Sequence, residues 1–199
     1  MILPKLLLSL IISVSIYSFF PQGDDLNLGF ERVGYKAKPI GWYAGGGGGK
    51  KDDLDGYLGE CDSTTVHSGK YSLHLKYLKG DGFGVGTKTL DIAPLRGKTI
   101  RFSGWIKTHN VGGKKDHNFD GYAGLWWRVD GPDHKTLAFN NMQDSLVNGT
   151  RDWQRYSFEL PVGETATNID FGVQMAGKGE AWFDDLSIDT NGVHYLGWK

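Results

Sequence analysis

The sequence predicts an all-β chain folded as a two-sheet antiparallel β-sandwich of jelly-roll type. Strand-length runs alternate with period two along much of its length, and no window of a dozen residues carries an amphipathic helical stripe. Turn signals such as Asp130-Gly131-Pro132-Asp133 and Asn148-Gly149 fall between the runs. Eight or more strands in about 170 residues suit two packed antiparallel sheets.

The elements follow in chain order. Met1 to Phe20 holds the one membrane-competent stretch: Lys5 supplies a positive start, and Leu6 to Phe20 is apolar apart from serines and a tyrosine. Such a run is short for a spanning helix, which needs about 20 residues, and reads as an export signal. No Ala-x-Ala precedes Pro21, so residues 1–23 are a signal peptide or an N-terminal anchor, and residues 24–199 are expected to form a single domain. Gly45 to Gly49, followed by Lys50, Lys51, Asp52 and Asp53, reads as a flexible surface loop. Strand runs are expected over Tyr71 to Tyr77, Thr99 to Thr108, Tyr122 to Val129, Thr136 to Asn140, Gln154 to Leu160, Asn168 to Met175 and Glu180 to Ile188.

Composition narrows the function. With 199 residues, 39% hydrophobic and 13% aromatic, the chain has apolar surface for one good core. A formal net charge of -1, from 22 basic and 23 acidic side chains, gives no field that draws nucleic acid or an anionic membrane. The single cysteine, Cys61, excludes an internal disulfide framework. The six histidines contain no His-x-His pair, which argues against zinc. No strand carries the closely alternating acids of a sandwich glycosidase, and no Gly-x-Ser-x-Gly elbow occurs. His74, His109, Tyr122 and Arg128 are the set from which lyase chemistry would be built.

Several landmarks, in this order, carry a resemblance: Asn27-Leu-Gly-Phe-Glu31, Gly41-Trp42, His67-Ser-Gly-Lys-Tyr-Ser-Leu-His-Leu75, Leu95-Arg-Gly-Lys-Thr-Ile-Arg-Phe-Ser-Gly-Trp-Ile-Lys-Thr108 and Trp182-Phe-Asp-Asp-Leu-Ser-Ile188. The chain resembles galactose-binding-domain-like jelly rolls, in particular the carbohydrate-binding modules attached to bacterial glycanases. The stretch from Ala123 to Asp133 and on to Tyr156 is similar to accessory modules beside exported hydrolase domains. The resemblance implies that the first strand, at Asn27 to Glu31, lies beside the last, and that a structural calcium ties them. Its ligands would be Glu31, the backbone oxygens near Gly29 and Lys70, and one of Asp184 or Asp185. Calcium takes six to eight hard oxygens, which carboxylates and carbonyls from distant strands can supply. If Trp182, Asp184, Leu186 and Ile188 share the core face, Asp185 points the other way and is the first choice.

Sugar recognition uses flat rings under apolar C–H faces together with directional hydrogen bonds. Along Tyr122 to Asp130 one face carries Tyr122, Trp126, Arg128 and Asp130, and the other carries Trp127, which reads as core. Along Thr99 to His109 the polar face holds Arg101, Ser103, Trp105, Lys107 and His109. Trp105, Lys107, Trp126, Arg128, Asn141 and Gln174 are therefore expected to line one concave sheet, with Lys114 to Asp120 as a lid. Trp153 and Trp182 read as structural; Trp42 and Tyr43 follow Pro39 in a loop where exposed rings would be contacts, whereas the resemblance implies that Trp42 packs under the sandwich. The leading reading is a non-catalytic, secreted or periplasmic module that binds a polysaccharide or oligosaccharide. The alternative is a jelly-roll domain of the cell envelope that docks a protein partner, and a small glycan lyase or hydrolase comes third.

Overall fold

The computed structural model describes residues 26–47, 56–80, 82–91, 93–113 and 121–190, and the backbone of 193–197. The leader at 1–23 and the lid segment at Lys114 to Asp120 lie outside the described residues.

Period-two alternation becomes two antiparallel sheets. The strands are β1 (Tyr43–Gly47), β2 (Tyr57–Asp62), β3 (Ser72–Tyr77), β4 (Phe83–Leu90), β5 (Thr99–Gly112), β6 (Ala123–Asp130), β7 (Thr136–Asn140), β8 (Gly149–Pro161), β9 (Asn168–Ala176), β10 (Lys178–Thr190) and β11 (Val193–Gly197). One sheet runs β1-β4-β9-β6-β7; the other runs β2-β3-β10-β5-β8, with β11 paired to β10. The expected all-β sandwich is the observed one.

Every second residue of the central strands enters the core: Leu125, Trp127 and Val129 from β6, Ile169, Phe171, Val173 and Met175 from β9, Ile100, Phe102 and Ile106 from β5. Their rings interlock. Phe102 meets Phe171 edge-on at 5.5 Å between centroids, and Trp127 lies 5.4 Å from Phe102 and 5.2 Å from Phe171. Trp42 packs beneath the sandwich as expected, edge-on to Phe171 at 5.5 Å, with its Nε1–H donated to the Leu26 carbonyl.

Three local expectations are corrected. First, Gly45 to Gly47 are not loop but the end of β1, in register with Val85, Gly84 and Phe83. β1 and β2 belong to different sheets and touch backbone to backbone, since a Cβ on Gly59 would stand 2.5 Å from the Gly45 nitrogen; only side-chain-free residues allow that approach. Second, Asn27 to Glu31 is a turn. Asn27 takes a positive φ of 56° and its side chain bonds both the N–H and the carbonyl of Arg32. The segment reaches β10 through the Leu186 N–H donated to the Leu28 carbonyl at 3.0 Å.

Third, alternation does not run through β10. A bulge between Asp184 and Ser187, with Asp185 at φ +46°, shifts the register against β5. Ala181 and Phe183 are core before the bulge and Leu186 and Ile188 after it, while Trp182 lies on the outer face, so Trp182 does not share a side with Leu186.

Candidate ligand-binding groove

The outer face of the five-stranded sheet is half polar, half aromatic. Cross-strand register builds it row by row. Tyr43 of β1 faces Thr87 of β4, Thr87 faces Gly172 of β9, and Gly172 faces Trp126 of β6. The next row is Thr89, Asp170, Arg128 and Phe139. Gly172, at φ +155°, leaves a flat floor between Thr87 and Trp126; a Cβ there would lie 1.9 Å from the Gly86 carbonyl oxygen. The result is an open groove of about 630 Å³ whose lining includes Tyr43, Phe83, Thr87, Thr89, Trp126 and Asp170.

The polar groups in it are held in place. Asp170 accepts the Thr89 hydroxyl at 2.6 Å on one oxygen and the Asn168 amide at 2.8 Å on the other, keeping further lone pairs for a ligand's hydroxyls. Arg128 stands opposite Asp170 but gives its Nε–H to Asp130 at 2.9 Å, and Asp130 also takes the Thr136 hydroxyl. At the far end of the face, Gln174 donates to the Tyr122 oxygen at 2.7 Å and to the Asn141 carbonyl, and the Asn141 amide donates to the same Tyr122 oxygen. Burial pushes the Tyr122 phenol above its ordinary pKa.

Four of the six expected ligand residues, Trp126, Arg128, Asn141 and Gln174, therefore share this face. Trp105 and Lys107 do not, and here the expectation is corrected. They lie on β5, which belongs to the other sheet, between β10 and β8. Alternation told the side of each residue on its own strand; it held no information on which sheet the strand joins. There Trp105 is stacked under His67 at 3.9 Å, and Lys107 pairs with Asp152 at 2.7 Å. The lyase set is divided in the same way, with His74 and His109 on one sheet and Tyr122 and Arg128 at the other.

Tyr43, Phe83, Thr87 and Thr89 were missed because β1 and β4 were not read as strands. The signal was present: in Phe83-Gly-Val-Gly-Thr-Lys-Thr-Leu90 the inward positions start as glycine. Gly86 and Gly84 sit so close to the facing sheet that a Cβ would approach Leu73 to 2.3 Å and Tyr57 to 2.7 Å. Glycine at alternate positions marks a strand pressed against its neighbour.

The carboxylates expected to hold calcium, Glu31 and Asp184 or Asp185, meet one loop, from His67 to Tyr71. Glu31 Oε1 accepts the N–H groups of Lys70 at 2.9 Å and Tyr71 at 3.2 Å. Asp184, fully buried, accepts the N–H groups of His67, Ser68 and Asp185, while Asp185 takes the His67 ring Nδ1 at 2.6 Å and the Ser68 hydroxyl at 2.8 Å. Burial, and then the charge of Asp185, push the Asp184 carboxyl up to about 7 despite those N–H donors. Among the described residues no three acids, histidines or cysteines come together as a ready metal site. Any ion here would need backbone carbonyls beside the carboxylates; of Lys70, the N–H is what meets Glu31.

No family model matches the chain. A Bacillus subtilis protein named an uncharacterized HTH-type transcriptional regulator, YbfP, is 36% identical over 131 residues, which cover 64% of this chain and 42% of that protein. The chain thus spans about two fifths of that relative's length. Among solved structures, the CBM22-1 xylan-binding domain of Paenibacillus barcinonensis Xyn10C superposes with a TM-score of 0.51 at 14% identity, covering 81% of this chain and 90% of that one. A Stig cyclase, Fisc, from Fischerella sp. TAU superposes with a TM-score of 0.54 at 13% identity, covering 84% and 96%. At such identities the likeness is one of architecture: the chain is a two-sheet antiparallel jelly-roll sandwich, similar in fold to that xylan-binding domain.

Proposed function

We propose that the protein is a non-catalytic glycan-binding module whose ligand lies in the groove of the five-stranded sheet. One observation carries the reading: Trp126 stands half-buried beside the side-chain-free floor at Gly172, with Tyr43 across the groove and Asp170 to one side. A pyranose ring stacks its C–H face on an indole and gives its hydroxyls to a carboxylate, and these groups supply both. The xylan-binding neighbour supports the class of ligand, and the apolar leader sequence supports export to the periplasm or beyond. Trp126→Ala is expected to weaken the affinity for a bound oligosaccharide about 10- to 100-fold, the usual loss at a central aromatic contact, with an unchanged far-ultraviolet spectrum. Calorimetric titration of both proteins checks it; equal affinity would remove Trp126, and the groove with it, from the site.

Calcium belongs to the same proposal. Glu31 and Asp184 point at the loop from His67 to Tyr71, and a buried acid repelled by its neighbour is what a divalent cation would relieve. Asp184 is the fully buried one of the pair and the one pushed up by its neighbour, so it gains most from a cation, although it already accepts three N–H groups and Asp185 takes the His67 ring and the Ser68 hydroxyl. An ion held about 100-fold above its dissociation constant adds about 2.7 kcal/mol, so a chelator is expected to lower the melting temperature by about 5–10 °C in a chain of this length. A melting curve identical with and without chelator would take calcium out.

The likeness to YbfP favours a second reading. A helix-turn-helix needs two α-helices, and the described residues contain none. A sandwich of this kind beside a DNA-binding part would serve as the ligand sensor, using the same groove. Binding of a free mono- or disaccharide in place of a polymer, read in the same titration, would select it.

A further inference from the structure

The outer face of the six-stranded sheet carries groups that neither the core nor the groove uses. His67, from the loop ahead of β3, lies flat on Trp105 at 3.9 Å with an interplanar angle of 19°, and Trp153 meets it edge-on at 5.7 Å. Both indoles are half-buried, and the His67 side chain is 26% exposed. His67 Nδ1 pairs with Asp185 at 2.6 Å, which leaves the other ring nitrogen, Nε2, for an outside group.

Directly across from Trp105 in the ladder is Arg155 of β8. The acids of that strand are already matched: Asp152 with Lys107 at 2.7 Å and Glu159 with Arg101 at 2.7 Å. Arg155, exposed and between them, meets hydroxyls instead. Its Nη2 donates to the Ser103 oxygen at 2.9 Å and reaches Ser187 at 3.5 Å, and those two buried serines bond each other at 2.7 Å. A guanidinium fork held upright by neutral oxygens keeps donors for an outside anion.

We propose that this face is a second binding site, for a carboxylated sugar, in which Arg155 takes the carboxylate. The rings of His67 and Trp153 wall the pyranose, and His67 Nε2 meets one of its hydroxyls. The site stands on the sheet opposite the groove and does not depend on the reading given to it.

The test is titration of the folded chain with three probes: an oligogalacturonate, xylohexaose as the neutral sugar chain, and polyglutamate as a carboxylate chain without sugar rings. The expected result is binding of the oligogalacturonate that weakens with added salt and falls at least about tenfold in Arg155→Gln. Arg155→Lys, which keeps the charge but loses the fork, should also fall, and the Arg155→Gln loss should persist in a Trp126→Ala background. No binding of the oligogalacturonate, equal binding of polyglutamate, or a loss in Trp126→Ala with none in Arg155→Gln would each overturn the proposal. The last pattern would assign the acidic sugar to the groove.

Discussion

Replacing Trp127 by alanine is expected to lower the unfolding free energy by about 3–5 kcal/mol, as for large aromatic truncations in a packed core. The side chain is fully buried against Phe102 and Phe171, the rings that join the two sheets. The melting temperature should fall by about 10 °C or more. Trp127→Phe is expected to cost much less, because the indole Nε1–H is buried without a hydrogen-bond partner and phenylalanine removes that orphan donor while keeping most of the apolar volume. Urea denaturation of the three proteins, with slopes compared to check two-state behaviour, measures both. An alanine variant within 1 kcal/mol of the parent, on the scale of an ordinary surface change, would show that the sheets are not held together there.

Stability in the presence of a chelator is expected to decline as pH rises from about 4 to about 7, through Asp184. Its folded carboxyl is pushed up to about 7, first by burial and then by Asp185. In the unfolded chain it titrates near 3.9. Between those values the folded state holds the proton more tightly, so folding is favoured at the acid end and loses about 4 kcal/mol on the way up. Asp62 and Glu180 act in the opposite sense. Their carboxyls are lowered, Asp62 by the Thr64 and Trp182 hydrogen bonds and Glu180 by Lys76 and His74, so their contribution is present above about pH 4 and lost as pH falls below it. The stability maximum should therefore sit near pH 4 to 5, and Asp184→Asn should flatten the limb above it. A parent whose stability is level from pH 4 to 7 without calcium would refute the assignment. Restoring calcium is expected to raise the neutral end, since a cation keeps the carboxylate ionised.

The sandwich was legible because its strongest strands obey one rule. In Ala123 to Asp130 and Asn168 to Ala176 the apolar residues fall on alternate positions, and the structure buries those positions. Trp127 was separable from Trp126 on that ground alone. The rule failed where another force set the backbone. At Gly45 to Gly47 and at Gly84 and Gly86, close approach of the facing sheet requires glycine, and a glycine shows no alternation of hydrophobicity. At Asp184 and Asp185 the bulge puts an extra residue into β10, which hydrogen bonds to His67 and Ser68 hold in place.

The groove was half legible for a related reason. Trp126, Arg128, Gln174 and Asn141 lie on or next to strands whose faces the alternation orients. Trp105 and Lys107 were equally well oriented on β5, but strand order is a long-range property, set by pairing between residues as distant as Trp105 and Asp184. Tyr43 and Phe83 needed β1 and β4 to be seen first.

A glycan-array screen of the chain from residue 24 onward, run beside Trp126→Ala with calcium present, tests the groove reading most directly. Selective signals on one polysaccharide family, absent from the variant, are the expected result. A blank array from a folded protein, or the same signals from the variant, would contradict it.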